Sequence, residues 1–234
     1  MNVGTERPDA VEGLITTTAW SLPDGAGGRR VTYALEGSIF VTGAGIQWLR
    51  DGLGIIDEAA EVGSLAESVS DTDGVVVVPA FTGLGSPWWD PYARGTMLGI
   101  TRGTTKAHLA RAVLESIAYQ TRDVVDAMTN ASGTPLAELR VDGGASAADL
   151  LVRIQADQLG VPVRRSRERE TTAQGAAFLA GLAEGFWDSL DDVAAAWASD
   201  ATFEADGDAT VIEANYRRWL EAVERSRGWD RPLA

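Results

Sequence analysis

Two adjacent glycines, Gly143 and Gly144, separate a short apolar run from an apolar helical pattern in LRVDGGASAADLL, residues 139–151. A helix that starts here presents free backbone amides and a partial positive charge, which both favour a phosphate group. Because glycine has no side chain, a ligand can approach the backbone closely. The stretch therefore predicts a phosphate or ribose contact, with a tight strand–helix turn as the alternative.

Several other kinds of chemistry are excluded by the 234 residues. The chain has no G-x-x-x-x-G-K-[ST] sequence and its only lysine is Lys106, which excludes a P-loop NTPase. It also lacks the G-x-S-x-G and G-x-G-x-x-G patterns of hydrolases and dinucleotide sites. Without cysteine, disulfides and thiolate metal sites are excluded. We expect the single histidine, His108, to be structural, and we expect no metal site.

Charge and composition limit the partners. A net charge of −14 opposes binding to nucleic acid or to an anionic membrane. Backbone amides can still hold a small phosphate ligand. The chain has no apolar run long enough to span a bilayer, and its first ten residues are too polar for a signal peptide. We therefore expect no membrane partner and a cytoplasmic location.

The first part of the chain predicts strands followed by a helix. The stretches 13–20, 29–37 and 38–43 are rich in β-branched and aromatic residues. The Pro- and Gly-containing segment 22–28 predicts a turn between the first two. Three adjacent strands indicate an antiparallel meander. Residues 43–53 then carry apolar side chains at helical spacing.

Strands and helices alternate in the rest of the chain. Residues 74–81 and 96–103 have the composition of strands. A sustained apolar stripe predicts a long helix from about Thr105 to Met128, capped by Thr104 or Thr105. The remaining predictions are strands within 136–144 and 161–166, and helices at 146–160, 170–187 and 209–227.

This order, β-β-β-α-β-β-α-β-α-β-α-α, predicts an α/β fold in which helices flank a mixed β-sheet. We expect one domain over residues 1–234, with the helix at about 209–227 docked on it. Thr171 and Gln174 form a capping-box pattern at the start of the helix at 170–187. Small residues suit this helix to close packing: Gly175, Ala177, Ala180 and Gly181.

The Gly- and Pro-rich segment 82–95 also contains Trp88, Trp89 and Tyr92. A loop with three aromatic residues is unlike a solvated linker. We expect it either to cover the edge of the core or to line a cleft.

Longer stretches of the chain resemble the C-terminal half of glycerol kinases, a group within the FGGY carbohydrate kinases. The similarity runs in one order through residues 32–56, 77–124, 139–151 and 170–187. The second stretch includes the C-terminal pattern of the family: Gly95, Gly99, His108-Leu109 and Ala112-Val113-Leu114-Glu115.

This resemblance implies a ribonuclease-H-like lobe of the actin/hexokinase-like ATPase fold, in which two lobes close on ATP and substrate. The chain resembles the second lobe, which holds most of the nucleotide. By position, the nucleotide-binding residues are Gly43, Gln47, Gly143, Gly144 and Ala148. The family usually has an adenine-contacting Asn where this chain has Ala148. The resemblance thus implies the loss of one hydrogen bond, which costs roughly 0.5–1.5 kcal/mol.

The resemblance assigns no catalytic residue to this chain. In the family the general base, the glycerol-binding residues and the phosphate loop belong to the first lobe. We therefore expect the isolated chain to be inactive and to need an N-terminal FGGY domain as partner. The intact enzyme would use ATP, with ADP as product, and Mg²⁺. Met1 aligns just after a Gly-Thr-Gly turn of the family, so we expect it to be internal to a longer enzyme or the start of a truncated gene.

Four aspartates are formal candidates for a base or a metal ligand, and we expect surface, capping or turn roles for them: Asp90, Asp123, Asp142 and Asp149. Two other functions stay open. One is a different FGGY sugar kinase, such as a xylulokinase, and the other is a stand-alone module that binds a nucleotide or a partner without catalysis. Pairing of two such lobes in a homodimer is a further expectation.

Overall fold

The strands of the protein form three small sheets. The computed structural model describes residues 1–232. The strands are β1 (Asn2–Gly4), β2 (Ile15–Pro23), β3 (Arg29–Glu36), β4 (Val76–Val78), β5 (Thr96–Leu98), β6 (Leu139–Val141), β7 (Val163–Ser166) and β8 (Ser199–Phe203).

Seven α-helices lie between and after these strands within the described part of the chain. They are α1 (Gly43–Gln47), α2 (Glu61–Glu67), α3 (Lys106–Ser132), α4 (Asp149–Leu159), α5 (Thr171–Ala183), α6 (Leu190–Ala196) and α7 (Ala209–Ser226). A π-helical turn at Trp48–Gly52 follows α1, and a 3₁₀ turn at Gly144–Ala147 precedes α4. Among residues 1–232, no helix has the length and apolar character needed to cross a membrane.

The first sheet is antiparallel, but its third strand is not the predicted one. The order is β1-β3-β2, so the extra strand is Asn2–Gly4. The predicted strand at 38–43 is wrong because this segment bonds to a loop instead. The amide of Ser86 donates to the carbonyl of Ser38 at 2.8 Å, and the amide of Ser38 donates to Ser86 Oγ at 3.0 Å.

The third sheet has the order β6-β7-β8 and is mixed. Strands β6 and β7 run parallel, whereas β8 pairs antiparallel to β7. Neither β8 nor α6 was expected from the sequence. The second sheet is the antiparallel pair of β4 and β5.

Helix α3 is the central element of the core, and its stripe of apolar residues is buried as predicted. Thr105 is its N-cap, and the Thr105 amide donates to His108 Nδ1 at 3.0 Å. His108 therefore serves the start of the helix. Gly133 ends the helix in the left-handed conformation that glycine adopts without strain.

Three apolar clusters contain residues of α3, and the third joins its Val124 and Met128 to Leu35 of β3. The first joins it to α1, α2, β4 and α4. The second joins Tyr119 to β4, to the segment 80–93 and to Tyr216 and Trp219 of α7. Helix α7 starts one residue after Asp208, whose carboxylate accepts hydrogen bonds from two amides of its first turn. The C-terminal helix is thus docked on the core.

The aromatic loop covers the edge of the core. Trp88 packs against the second cluster, and its Nε1 donates to Asp123 at 3.2 Å. Trp89 Nε1 donates to the carbonyl of Gly13 at 2.8 Å. These bonds fix the loop against α3 and against the segment before β2.

Helix α5 begins differently from the prediction. Its N-cap is Glu170, which makes no side-chain capping bond, so the predicted capping box of Thr171 is wrong. The Thr171 hydroxyl instead donates to the carboxylate of Asp142, at the end of β6. None of the residues of α5 is buried.

Candidate functional site

A cavity of about 350 Å³ opens between α1, the start of α2 and the turn that precedes α4. This volume is within the range of small-molecule sites. The residues that line it are Gly43, Ile46, Gln47, Arg50, Ala59, Ala60, Val62, Gly144, Ala145, Ala147, Ala148 and Arg169.

Four of the five sequence-predicted site residues lie in this wall. Gly43 and Gln47 come from α1, whereas Gly144 and Ala148 come from a turn about a hundred positions later in the chain. The fold therefore brings the two predicted stretches together around one space. Gly143 does not line the cavity.

Helix α1 positions its two site residues through a buried anchor. Ile46 is buried in the first apolar cluster. Gly43 and Gln47 are one helical turn apart, so they share a face. With Ile46 held in the core, this face borders the cavity, and the Gln47 amide group is exposed there.

The two glycines of the turn have different physical reasons. Gly143 has φ of 78°, a conformation that strains any residue with a Cβ. Gly144 has no positive φ, and a Cβ added to it would meet nothing within 4 Å. The same holds for Gly43. The fold requires glycine at Gly143, whereas at Gly43 and Gly144 the absent side chain only leaves the cavity open.

Ala148 is both a wall residue and the N-cap of α4. It packs against the first apolar cluster and has no polar group. No side-chain hydrogen bond caps the helix. The position that would carry an adenine-contacting amide in the family therefore carries only a methyl group.

Two guanidinium groups border the cavity, although the whole chain is acidic. These belong to Arg50 and Arg169. Arg50 Nε also bonds Asp51 Oδ1 at 2.7 Å, and this bond raises the pKa of Arg50. Sequence reasoning missed both arginines. It also missed the apolar side of the wall, Ala59, Ala60 and Val62, because alanine and valine carry no motif signal.

The four candidate aspartates have structural partners, and none of them lines the cavity. Asp90 accepts hydrogen bonds from the Tyr92 and Gly228 amides at 2.8 and 2.9 Å. Asp142 accepts from the hydroxyl of Thr171. Asp149, at the first position of α4, pairs with Arg165 at 2.7 Å, as described below.

Asp123 is the most enclosed of the four. Its carboxylate accepts hydrogen bonds from Trp88 Nε1 (3.2 Å), Tyr216 OH (2.6 Å) and Trp219 Nε1 (2.9 Å). Burial raises its pKa above the ordinary value, and the three donors act in the opposite direction. Its role is to join α3, the aromatic loop and α7.

Within residues 1–232, no three or more His, Cys, Asp or Glu side chains are grouped so that they could hold a metal ion. What the cavity offers is a partly apolar space, open backbone at two glycines, an amide side chain and two cations.

Comparisons with known proteins found a family, curated relatives and solved structures to which this chain is similar. Residues 1–184 match the FGGY family of carbohydrate kinases, C-terminal domain. The glycerol kinase of Bordetella parapertussis is 57% identical over 234 residues, which are 100% of this chain and 46% of that protein. Glycerol kinase 2 of Thermotoga maritima is 54% identical over 231 residues, 99% of this chain and 46% of that protein. The chain thus spans slightly less than half the length of these relatives.

Solved structures lead to the same fold. The Plasmodium falciparum glycerol kinase with ADP has a TM-score of 0.87 and 37% identity, covering 97% of this chain and 44% of that chain. The xylulose kinase of Rhodospirillum rubrum has a TM-score of 0.71 and 26% identity, covering 89% of this chain and 41% of that chain. The prediction of an actin/hexokinase-like ATPase fold is confirmed.

Proposed function

The chain belongs to the FGGY family of carbohydrate kinases, and from this membership we propose that it is the nucleotide-binding half of an ATP-dependent glycerol kinase. The complete enzyme would transfer the γ-phosphoryl group of ATP to glycerol and form glycerol 3-phosphate. The observation that supports the proposal most is the cavity shared by Gly43, Gln47, Gly144 and Ala148. The domain we propose for this role comprises residues 1–234.

The cavity wall suits an adenine nucleotide in its physical character. The alanines and Val62 provide apolar contact for a base. Gly43 and Gly144 leave backbone accessible to a ribose or a phosphate. Arg50 and Arg169 add positive charge that favours phosphate oxygens. ADP and ATP are therefore the ligands we propose for this site.

Glycerol is favoured over a sugar by the level of similarity. The two relatives at 57% and 54% identity are both glycerol kinases. The xylulose kinase structure has 26% identity and the gluconate kinase of Lactobacillus acidophilus has 20%. The likeness to the gluconate kinase supports the fold alone.

Phosphoryl transfer needs groups that the cavity does not provide. The reaction requires a base or positioning residue for the attacking hydroxyl and cations that neutralise the phosphates. None of the four aspartates borders the cavity, and we assign no catalytic residue to this chain. Because the described residues form no metal cluster, we propose that Mg²⁺ enters with the phosphates of ATP, as is usual for kinases.

We propose the N-terminal FGGY domain as the partner that supplies the missing groups. The relatives are more than twice as long as the matched region, so they contain further chain of domain size. Helix α5 supports a packing surface for it, because thirteen residues without a charge and without one buried position are unusual on a free surface. Arg169 lines the cavity just before α5, so a domain on this face would border the cavity.

Calorimetry with ADP tests the nucleotide site. We expect the 234-residue chain to release heat of binding, and a Gly144→Val variant to lose it. The valine would fill the cavity without meeting another protein atom within 4 Å of its Cβ. No heat from the wild-type chain at millimolar ADP would contradict the proposal.

A coupled assay with ATP tests the reaction. We expect no turnover of glycerol by the chain alone and turnover after addition of the N-terminal half of the Bordetella parapertussis glycerol kinase. Turnover restored by the N-terminal half of a xylulose kinase, and not by that of a glycerol kinase, would favour the sugar kinase. Binding of ADP without restored turnover would favour the stand-alone module. Sedimentation of the chain alone distinguishes packing of two copies through α5 from packing on the N-terminal domain.

A further inference from the structure

The turn over the cavity lacks the usual local support. Ala148, the N-cap of α4, has φ of −81° and ψ of 103°, which is the extended conformation of N-cap residues. A Ser, Asp or Asn side chain there would accept a hydrogen bond from the first turn of the helix, but a methyl group cannot. The Gly144–Ala148 segment therefore needs support other than a side-chain cap, and its own bonds include Ala148 N–H to the Ala145 carbonyl at 3.2 Å.

Arg165 on β7 provides this support from behind the turn. Its Nη1 donates to the Ser146 carbonyl at 3.0 Å and to Asp149 Oδ1 at 2.7 Å. Its Nε donates to Asp200 Oδ1 at 2.9 Å. The side chain is only 17% exposed. One planar guanidinium thus joins the 3₁₀ turn, the start of α4 and strand β8.

Ser146 is fixed from its other side as well. The residue is buried, and its hydroxyl donates to the carbonyl of Gly143 at 2.8 Å. The bond from Arg165 reaches the backbone carbonyl of the same residue. Because Gly144, Ala145, Ala147 and Ala148 are the wall residues on this side, the position of Ser146 sets the shape of the wall.

We propose that Arg165 is a positioning residue for nucleotide binding. It does not line the cavity, and it acts by holding the Gly144–Ala148 segment in the conformation that forms the wall. The expected effect on ADP binding rests on the proposed function, whereas the restraint of the Gly144–Ala148 segment by Arg165 does not depend on it. Arginine suits the task because its planar fork spreads N–H donors over three nitrogens and can reach acceptors on several elements, whereas lysine carries all its donors on one nitrogen.

The neighbouring Arg164 provides a matched control. It lies on the same strand and carries the same charge, but its Nη1 bonds Glu138 at 3.4 Å and its guanidinium packs on the Trp197 ring, away from the turn. We therefore compare Arg165→Gln and Arg164→Gln in the 234-residue chain. We expect Arg165→Gln to weaken ADP binding about tenfold, the effect of one lost charge-assisted hydrogen bond. Arg164→Gln should change it less than about twofold.

Hydrogen exchange in the absence of nucleotide tests the restraint by itself. In Arg165→Gln we expect faster exchange at the amides of residues 144–149, with the α3 amides unchanged. Arg165→Lys should restore part of the ADP affinity and part of the protection. Wild-type ADP affinity in Arg165→Gln, or exchange that rises equally throughout the chain, would overturn the inference. If the wild-type chain fails to bind ADP, the proposed function fails, and the local exchange still decides whether Arg165 holds the turn.

Discussion

Helix α3 carries six charged residues and buries thirteen residues, whereas α5 carries no charged residue and buries none. The charges of α3 are mostly satisfied within the protein, as when Glu115 accepts from Arg111 and from Tyr119 at 3.0 Å each. The apolar side chains of α5 have no such enclosure. Leu179, for example, is 48% exposed.

Apolar composition alone therefore does not show that a helix is buried within its own chain. The periodic stripe of α3 indicates that its partner lies within the same chain. The uncharged surface of α5, with exposed apolar side chains such as Leu179, favours a partner but does not indicate where that partner lies. The cavity beside α5 has the same character, since Gly43 and Gly144 leave space that the chain does not fill. We propose that α3 and its apolar clusters serve folding, whereas α5 and the cavity beside it serve binding.

The same leucine-to-alanine substitution on α3 and on α5 should give the greatest difference in the free energy of unfolding. Leu114 on α3 is 0% exposed, so Leu114→Ala should lower the free energy of unfolding by roughly 2–5 kcal/mol. Leu179→Ala on α5 should change it by less than about 0.5 kcal/mol, because the side chain is half in solvent already. Urea denaturation of the isolated chain measures both.

Leu179→Ala should matter only when a partner is present. We expect it to weaken reconstitution with an N-terminal FGGY domain, whereas it leaves the stability of the chain unchanged. A large loss of stability in the isolated chain would mean that α5 belongs to the core, and the contrast between the helices would disappear.

The next largest effect is expected at Asp123 of α3, a polar residue that is only 4% exposed. Asp123→Ala removes the acceptor of three donors, which should lower the free energy of unfolding by about 3 kcal/mol. Asp123→Asn keeps one oxygen for the two indoles and offers its amide to Tyr216, so it should cost less than about 1 kcal/mol. Equal losses in the two variants would show that hydrogen bonding at this position is unimportant.

The difference in stability between Asp123→Asn and the wild-type chain should change with pH in a defined direction. Burial raises the pKa of Asp123, so the folded protein holds this proton more tightly than the unfolded chain does. Its contribution to stability is fully present below the unfolded pKa of about 3.9 and is lost as pH rises through the folded pKa. Since Asn does not titrate, the stability of Asp123→Asn relative to wild type should rise across that window. A relative stability that falls with pH would contradict the raised pKa.

The two adjacent glycines, Gly143 and Gly144, are expected to differ in the same way, because one affects stability and the other affects binding. Gly143→Ala places a Cβ at φ of 78° and should cost about 1 kcal/mol of stability. Gly144→Ala should leave stability unchanged, because its Cβ meets nothing within 4 Å, but should weaken ADP binding several-fold. Thermal melts and ADP titrations of both variants separate the effects. Unchanged ADP affinity in Gly144→Ala would remove this glycine from the proposed site.

Sequence patterns predict the buried elements around α3 better than they predict α5 and the cavity beside it. The stripe of α3 carries enough periodic signal to predict its start and its buried face, but the helix continues to Ser132, four residues beyond the predicted end. Segment 38–43 failed because its bonds go to Ser86, which lies far along the chain. Strand β8 is short and is defined by its pairing with β7, which no local pattern reveals.

For the candidate site, the resemblance to the FGGY family supplied the residues that carry a recognisable pattern. Ala59, Ala60 and Arg169 became visible only when the fold brought separate segments around one cavity. Arg165 lies on a strand, and its reach to Ser146 cannot be read from spacing. The nucleotide-binding residues, the homodimer and the cytoplasmic location stay predictions.

The smallest changes are expected from substitutions of Ala148, which is both the N-cap of α4 and a residue of the cavity wall. Ala148→Ser would cap α4 and should stabilise the chain by about 1 kcal/mol without reaching a nucleotide base. Ala148→Asn would cap it equally well or would turn its amide to the adenine, which should tighten ADP binding several-fold at about 1 kcal/mol per hydrogen bond. One Asn side chain cannot cap α4 and contact the adenine at the same time. If Ala148→Asn tightens ADP binding, the ADP-bound form should therefore be stabilised by less than the sum of the capping and binding effects. Equal ADP affinity in Ala, Ser and Asn would show that residue 148 caps the helix and does not reach the base.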